Sequence, residues 1–320
     1  MAKIIECVPN FSEGRDLEKV ERIVAPFKNQ SGFKMISYEP DGDYNRTVVT
    51  LIGEADSIMA ALMPFVATAL KEIDMNKQRG EHPRIGAVDV IPFIPIQDVT
   101  LEECSEFANI MAKRISDTFD IPVFMYAKSA RNEERISLPN IRKGEYEGMI
   151  TKIKEPEWHP DYGRPESHPT FGSVAIGARP ILVAYNIDLD TDNEKIANHI
   201  AKAIRQSSGG FQHIQAGPAF LEEKHHMQVT MNILDYTKNP MYRIYEVVKM
   251  EALRFHVAVK SAEIIGLIPK AALMDSIKYY LQVESKVFDK NMDLKTLTEL
   301  SIGYLKLRDF NTEKIIESWM

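Results

Sequence analysis

One short connector in the sequence holds the side chain best suited to moving a proton. Residues 78–86 read QRGEHPRIG and place His82 between Glu81 and Arg84, immediately before the apolar run AVDVIPFIP. An imidazole with its ordinary pKa near ~6.5 can accept and release a proton at neutral pH. A connector that only turns the chain does not need this combination of side chains. His82 is therefore a candidate functional residue, and the alternative is that it is one of eight histidines that happens to lie in a loop.

Two further polar stretches could contribute to the same site. VPNFSEGR at 8–15 contains Asn10, and EPDGDYNR at 39–46 contains Asp41. Each has a simpler interpretation, because Ser12 or Asn10 could be a helix N-cap and the Asp-Gly pair could be an ordinary hairpin turn. In a split βαβ unit, however, the loop after the first strand and the loop before the fourth can lie side by side. That packing would form one polar, partly cationic face from Asn10, Arg15, His82 and Arg84.

The spacing of the metal-ligating residue types predicts no metal site. Cys7 and Cys104 are far apart, and His225 and His226 are adjacent in a predicted strand, so their side chains point to opposite faces. The sequence contains no HExxH and no CxxC motif. It also lacks the GxSxG, Walker and GxGxxG motifs, which argues against common serine-hydrolase and nucleotide-binding sites.

The composition is that of a soluble globular protein. With 320 residues, of which 44% are hydrophobic and 27% charged, the chain is long enough for two domains. The formal net charge of −7 argues against nucleic acid as a general partner. Few cysteines, no signal-like N-terminus and no long apolar run predict a cytoplasmic protein without a membrane partner.

The hydrophobic pattern predicts the same order of elements twice: strand, helix, strand, strand, helix, strand. Capping boxes are expected at Thr100 with Glu103 and at Thr191 with Glu194, each opening a helix. This order predicts an α/β (α+β) fold of two tandem ferredoxin-like βαββαβ subdomains, with antiparallel sheets covered by helices on one face. The expected boundaries are 1–178 and 179–320, with a helical tail from about 286.

A segment rich in proline and glycine, residues 155–180, lies between the predicted repeats. Its composition alone favours a surface linker. It also carries Trp158, Tyr162 and Phe171, and long irregular segments that keep aromatic residues are often binding loops. Both interpretations stay open at this point.

Three ordered motifs give the chain a resemblance to a known family. CVPNFSEGR, RGEHPRIGAVDVIPF and TFGSVAIGARPILVAYNI resemble motifs of the formiminotransferases (glutamate formimidoyltransferase). The resemblance extends to about residue 285 and is of the free-standing bacterial type. It implies a homodimer, a tetrahydrofolate site between the subdomains and a catalytic role for His82. It also implies a folate-binding stretch made of Gly163, Arg164, Pro165, Glu166, Ser167, His168, Pro169, Thr170, Phe171 and Gly172.

The implied reaction moves the formimino group of N-formimino-L-glutamate to N5 of tetrahydrofolate, the co-substrate. One imidazole could take the proton from N5 and return it to the departing nitrogen, with no metal. Asp41 or Glu81 could orient the ring, and Phe171 could pack against the pterin. Candidates for binding substrate are Asn10, Arg15, Asp41, Arg84, Arg164 and Arg179. The alternatives are formyl transfer between N-formylglutamate and tetrahydrofolate, and a non-catalytic folate-binding protein.

Overall fold

The protein forms two compact units, Met1–Pro180 and Ile181–Met320, in a computed structural model that describes residues 2–221 and 224–319. Each unit has its own hydrophobic core. Within the described residues, no helix is both long and apolar enough to cross a membrane.

The first unit contains the predicted ferredoxin-like arrangement. Its elements are β1 (Ile4–Cys7), β2 (Asn10–Phe11), α1 (Leu17–Val24), β3 (Phe33–Asp41), β4 (Arg46–Glu54), α2 (Ala55–Glu72) and β5 (Val88–Gln97). The short strands β1 and β2 lie in line between β4 and β5 and pair antiparallel with both. Because β3 pairs antiparallel with β4 at the edge, the order is that of a split βαβ sheet.

The first sheet also has a parallel extension, so the prediction of purely antiparallel sheets is wrong for this unit. The added elements are α3 (Leu101–Phe119), β6 (Val123–Ala127), α4 (Leu138–Arg142), α5 (Glu145–Lys152) and β7 (Val174–Ala178). Strand β7 pairs in parallel with β5 on one side and with β6 on the other. Helix α3 begins with the predicted capping box of Thr100 and Glu103.

Strand β7 lies in the segment that was expected to be a linker or a binding loop. All its residues, VAIGA, are buried, so this part of the segment is sheet core and the linker interpretation is wrong for it. A strand covered on both faces has no alternation of polar and apolar residues. Helices α4 and α5 cover the second face through Ile141 and Met149, which pack with Val90 and Phe124. The expectation of helices on one face only is therefore also wrong here.

The second unit matches the predicted ferredoxin-like order. Its elements are β8 (Val183–Leu189), α6 (Glu194–Ile204), β9 (Ile214–Leu221), β10 (His226–Ile233), α7 (Met241–Leu253) and β11 (Val259–Ile265). The strands pair antiparallel in the order β11–β8–β10–β9. The capping box expected at Thr191 and Glu194 is wrong, because Asn193 is the N-cap and accepts from the backbone N–H of Lys195.

The tail, residues 286–320, is part of the second unit rather than an appendage. It follows α8 (Lys270–Val283) and contains α9 (Leu294–Leu305). Leu297, Leu305 and Ile315 belong to the second core. The backbone N–H of Ala262 in β11 donates to the carbonyl of Lys306 at 2.9 Å, so the tail pairs with the edge strand of the sheet.

Candidate active site

The three polar stretches of the first unit come together in the structure. The backbone N–H of Ser12 donates to the carbonyl of Ala87 at 2.8 Å, and its hydroxyl donates to the carbonyl of Gly86 at 2.8 Å. The backbone N–H of Gly14 donates to Asn45 Oδ1 at 3.0 Å. The loop after β2 is thus tied both to the β3–β4 hairpin and to the connector that holds the candidate histidine.

Close backbone approach explains two glycines of these stretches. A Cβ on Gly14 would overlap the carbonyl oxygen of Asp41 and the backbone of Arg46. A Cβ on Gly80 would overlap the carbonyl oxygen of Tyr44. Only glycine lets the hairpin turn contact its neighbours on both sides so closely.

His82 is buried at the centre of this cluster. It is 6% exposed, and its backbone N–H donates to the carbonyl of Tyr44 at 3.4 Å. Its ring Nε2 is enclosed and has no hydrogen-bond partner among the described residues. That nitrogen lies 3.7 Å from Asp89 Oδ2, which is longer than a hydrogen bond but within the range of a strong charge interaction.

The surroundings of His82 favour the neutral imidazole. Burial lowers the pKa of His82 below its ordinary value, and the Arg142 and Arg46 guanidinium groups lower it further. The Asp89 carboxylate acts in the opposite direction but does not overcome the burial. At neutral pH the ring is therefore uncharged and can accept a proton.

The carboxylate beside His82 was not identified from the sequence, and it is neither Asp41 nor Glu81. It belongs to Asp89, which lies at an irregularity in β5. In the pairing of β5 with β2, Val90 faces Asn10 and Val88 faces Phe11, so Asp89 has no partner on β2. This is the pattern of a β-bulge, which redirects a side chain at the point where it occurs. Asp89 is completely buried.

Asp89 remains ionised because its oxygens are well bonded. Asp89 Oδ1 accepts from the backbone N–H of Ile85 at 2.9 Å, and Oδ2 accepts from Arg142 Nε at 3.0 Å. Burial alone would raise the pKa of this carboxyl, but Arg142 and His82 outweigh it and lower the pKa to about 2. The side chain is therefore ionised at neutral pH and faces the imidazole.

Arg142 is held in place by the end of its own helix. It is the last residue of α4, and Lys152 Nζ donates to the carbonyls of Asn140 at 2.8 Å and Ile141 at 3.1 Å. The same Nζ lies 3.6 Å from the ring centroid of Trp158. Lys152 thus adds a charged donor to the carbonyls at the C-terminus of α4, of which Asn140 also accepts from the backbone N–H of Lys143, and it fixes the position from which Arg142 reaches the site.

Two of the predicted substrate-binding cations already contact other protein groups. Arg84 is 5% exposed, and its guanidinium contacts Glu147 at 2.9 Å and also Glu145. Arg15 Nε donates to the carbonyl of Gly42 at 2.7 Å. Both side chains lie in the cluster, but Arg84 is bound to two carboxylates of α5.

The polar residues predicted beside them have different environments. Asp41 Oδ1 accepts from the backbone N–H groups of Asp43 at 3.0 Å and Tyr44 at 2.9 Å, so it stabilises the hairpin turn. Glu81 is exposed. Asn10 is 8% exposed, and its Oδ1 has no hydrogen-bond partner among the described residues.

An open cavity of about 570 Å³ lies beside the connector. Its lining has matched numbers of guanidinium and carboxylate groups, and His82 does not line it. The lining residues are Arg15, Arg79, Gly80, Glu81, Arg84, Gly144, Glu145 and Glu147. In the described ranges, no group of three or more histidine, cysteine or acidic residues could hold a metal ion.

The predicted folate-binding stretch packs against the connector at one end. His168 and Gly172 exchange backbone hydrogen bonds of 3.1 and 3.0 Å, which closes a tight turn. Gly172 has φ +84° and forms a bridge with Gly86. At the other end of the stretch, Arg164 is exposed and pairs with Asp120.

Phe171 does not present its ring to a ligand. It is completely buried in the first core, and its carbonyl accepts from the backbone N–H of Ala87 at 2.7 Å. The suggestion that Phe171 packs against the pterin is therefore wrong. Arg179 follows β7 and lies at the opposite end of that strand from Gly172, so the structure does not group it with His82.

Comparisons with known proteins give the family. The sequence model of the formiminotransferase domain, N-terminal subdomain, matches residues 4–179, and that of the formiminotransferase domain matches residues 184–320. The second match includes the tail, so the expectation that the resemblance stops near residue 285 is wrong. The tail is part of the domain because it completes the second core.

Several relatives match over most of this chain. A glutamate formimidoyltransferase of Streptococcus pyogenes serotype M1 is 47% identical over 91% of this chain and 98% of that protein. One from Thermoplasma acidophilum is 40% identical over 91% and 97%. A formimidoyltransferase-cyclodeaminase of Gallus gallus is 37% identical over 99% of this chain and 60% of that protein. The predicted resemblance to glutamate formimidoyltransferases is confirmed, and the chain belongs to the formiminotransferase family.

Proposed function

We propose that this protein transfers the formimino group of N-formimino-L-glutamate to N5 of tetrahydrofolate, giving 5-formimidoyltetrahydrofolate and L-glutamate. The observation that carries the proposal is a neutral, buried His82 beside the ionised Asp89 carboxylate. Family membership and the names of the two relatives with 47% and 40% identity support the same reaction. Tetrahydrofolate is the co-substrate, and the chemistry uses no metal.

His82 moves the proton in this reaction. N5 attacks the amidine carbon and forms a C–N bond, giving a tetrahedral intermediate, and the neutral imidazole takes the proton that N5 must lose. The imidazolium then gives that proton to the glutamate nitrogen as its bond to carbon breaks. The net result is exchange of one C–N bond for another, with the histidine returned to its neutral form.

Asp89 orients and stabilises the histidine. A small shift of the ring would close the 3.7 Å separation between His82 Nε2 and Asp89 Oδ2 to a hydrogen bond. Nε2 would then carry the hydrogen, and Nδ1 would be the nitrogen that accepts the proton from N5. The carboxylate also stabilises the imidazolium that exists between the two proton transfers.

The remaining roles are part of the same proposal. The stretch Gly163–Gly172 binds folate, and of the predicted donor-binding residues Asn10 and Arg15 remain the candidates, because Asp41, Arg84 and Arg179 are bonded elsewhere or lie away from His82. The protein acts as a cytoplasmic homodimer, an assignment that light scattering at assay concentration would test. N-formylglutamate serves as a comparison donor, because activity with it alone would replace formimino transfer by formyl transfer.

Replacing His82 tests the proposal. His82→Gln keeps a polar side chain of similar length in a buried position, and His82→Ala removes the ring altogether. Both should lower kcat by roughly 10²–10⁴, the range for loss of one general acid–base group. The Kd for tetrahydrofolate should change by less than about ten-fold, since the folate contacts lie elsewhere. His199→Gln, an exposed histidine in α6, is the matched control.

Three measurements separate the possible roles of His82. Steady-state assays give kcat, calorimetry gives the folate Kd, and circular dichroism reports folding. A folded His82→Gln protein with the parent's kcat would refute the catalytic role. Loss of folate affinity with kcat retained would make His82 a binding residue instead.

A further inference from the structure

Arg46 is a cation of the site that sequence reasoning did not select. It is the first residue of β4 and lies two positions before Val48, which pairs with Asn10. Because side chains alternate along a strand, Arg46 and Asn10 point to the same face of the sheet. The side chain of Arg46 is half-buried, and its Cζ lies 5.4 Å from the ring centroid of Tyr44.

The guanidinium of Arg46 has no acidic partner in the part of the chain that the structure describes. Its Nε is fully enclosed and makes no hydrogen bond there. The other largely buried guanidinium groups of the cluster are occupied, since Arg142 binds Asp89 and Arg84 binds Glu147. Arg15 is exposed to solvent and gives its Nε to the carbonyl of Gly42, so Arg46 is the partly buried cation near His82 that is available to bind an anion.

The backbone places Arg46 close to the reacting histidine, because the N–H of His82 donates to the carbonyl of Tyr44, two residues before Arg46. Its charge is one of the influences that lower the pKa of His82. Burial lowers the pKa of Arg46 itself, while Asp41 across the hairpin acts in the opposite direction without forming an ion pair within 4.0 Å in the described residues. A partly desolvated guanidinium gains more from a carboxylate than an exposed one does.

Two other buried polar atoms near Arg46 also lack partners among the described residues, namely Asn10 Oδ1 and His82 Nε2. Native proteins rarely leave such atoms unpaired. His82 Nε2 faces Asp89, so the ligand-binding pair is the Arg46 guanidinium, a donor, and Asn10 Oδ1, an acceptor on the same face of the sheet. Together they suit a ligand that has both a carboxylate and an N–H group. An N-formimino amino acid has both.

We propose that Arg46 binds a carboxylate of the formimino donor and so holds the amidine carbon beside His82. The inference rests on the proposed function, because it names a group that binds the donor of that reaction. Arg46 takes no part in the proton transfers. Its planar guanidinium can pair with a carboxylate through two N–H groups, a geometry that lysine cannot reproduce.

Substitution of Arg46 should therefore change the donor KM selectively. With tetrahydrofolate saturating, Arg46→Gln should raise the KM for formiminoglutamate by about 10- to 100-fold, the effect of losing one charge-assisted pair. The KM for tetrahydrofolate should stay within about three-fold of the parent's. Arg46→Lys should give an intermediate donor KM, and Arg254→Gln, at an exposed position in the second unit, should match the parent.

A donor without carboxylates provides a second readout. Formamidine carries the amidine group alone, so Arg46→Gln should change its kcat/KM only by the effect of the lost charge on His82, less than about three-fold at pH 8, and much less than the kcat/KM of formiminoglutamate. Unchanged donor KM in a folded Arg46→Gln protein would overturn the inference while the proposed function stands. If Arg46→Gln does not fold, Arg46→Lys is the variant that tests the inference. A donor KM of Arg46→Lys equal to that of the parent would then count against the role of Arg46.

Direct binding separates this inference from failure of the proposed function. If the parent transfers no formimino group, the proposed function fails, and calorimetry with glutarate then tests Arg46 by itself. The parent should bind glutarate, and Arg46→Gln should bind it at least ten-fold more weakly. Arg46→Lys replaces Arg46→Gln in this comparison if it is the one variant that folds. This result would support the carboxylate site. Equal binding to the parent and the variant, or binding to neither, would overturn it.

Discussion

Replacing Asp89 by asparagine should separate the charge of the carboxylate from its shape. The carboxylate accepts from the backbone N–H of Ile85 and from Arg142, and it faces His82 Nε2 at 3.7 Å. Asparagine keeps the size and one acceptor oxygen but removes the negative charge. At that separation, two unit charges interact by about 1 to 4 kcal/mol for effective dielectric constants of roughly 80 to 20.

This energy acts on the protonated form of His82. During transfer the imidazolium carries the proton, so losing its counter-ion should lower kcat by roughly 10- to 10³-fold. The Asp89 carboxylate raises the pKa of His82, hence its removal should lower that pKa further. Since the neutral ring is the active form, the acid limb of the kcat profile should move to lower pH.

Stability should fall as well, because Arg142 would lose its anion. The Arg142 side chain is 15% exposed, and removing one partner from a largely buried ion pair costs about 3 kcal/mol. Urea unfolding measures this change, and kcat from pH 4.5 to 8 measures the catalytic one. Asp117→Asn, which removes an exposed carboxylate paired with Lys113, is the matched control. A folded Asp89→Asn protein with the parent's kcat and an unshifted acid limb would refute the coupling to His82.

Three other substitutions should have effects that follow from single contacts. Gly14→Ala should lower kcat at least ten-fold, because its Cβ would overlap the carbonyl of Asp41 and push the loops apart; parent-like kinetics would show that the loops tolerate separation. Lys152→Met should lower the free energy of unfolding in urea by about 1–2 kcal/mol and reduce kcat several-fold, because it frees the end of α4. An unchanged kcat would mean that Arg142 keeps its position without Lys152. Arg308→Gln breaks a contact of 2.9 Å with the buried Asp188 and should lower the free energy of unfolding by about 3 kcal/mol. A urea-unfolding midpoint equal to that of the control Arg254→Gln would contradict this.

The sequence predicted the elements whose periodicity is simple. Helix α2 has an apolar stripe, β10 alternates apolar and polar residues, and the capping box at Thr100 is local to a few residues. Strand β7 escaped detection because burial on both faces removes alternation, and because its surroundings are rich in proline. Local patterns therefore gave the repeated units but not the parallel extension.

Part of the site could also be predicted from the sequence. His82 could be inferred from side-chain type, and the convergence of its connector with the loop after the first strand from the connection order of a split βαβ unit. That the β3–β4 hairpin joins them was not predicted. Asp89 had one visible signal, since an acidic residue inside an apolar strand needs a buried partner. The bulge that turns it toward His82 depends on strand register, and Arg142 reaches it from a separate helix. Neither relation can be read from sequence spacing.

The pairing of the tail with β11 has a consequence for how the second unit forms during synthesis. Lys306 and Lys314 donate through Nζ to the carbonyls of Val259 and Ile264, and the backbone of Arg308 pairs with Ala262. Until the ribosome has released these later residues, β11 presents an open row of backbone groups to any other extended chain nearby. The first unit contains all its own strands and can close earlier. Nascent chains whose residues from Leu305 onward are still inside the ribosome should therefore recruit chaperones, and chains whose residues up to Ile316 have left it should not.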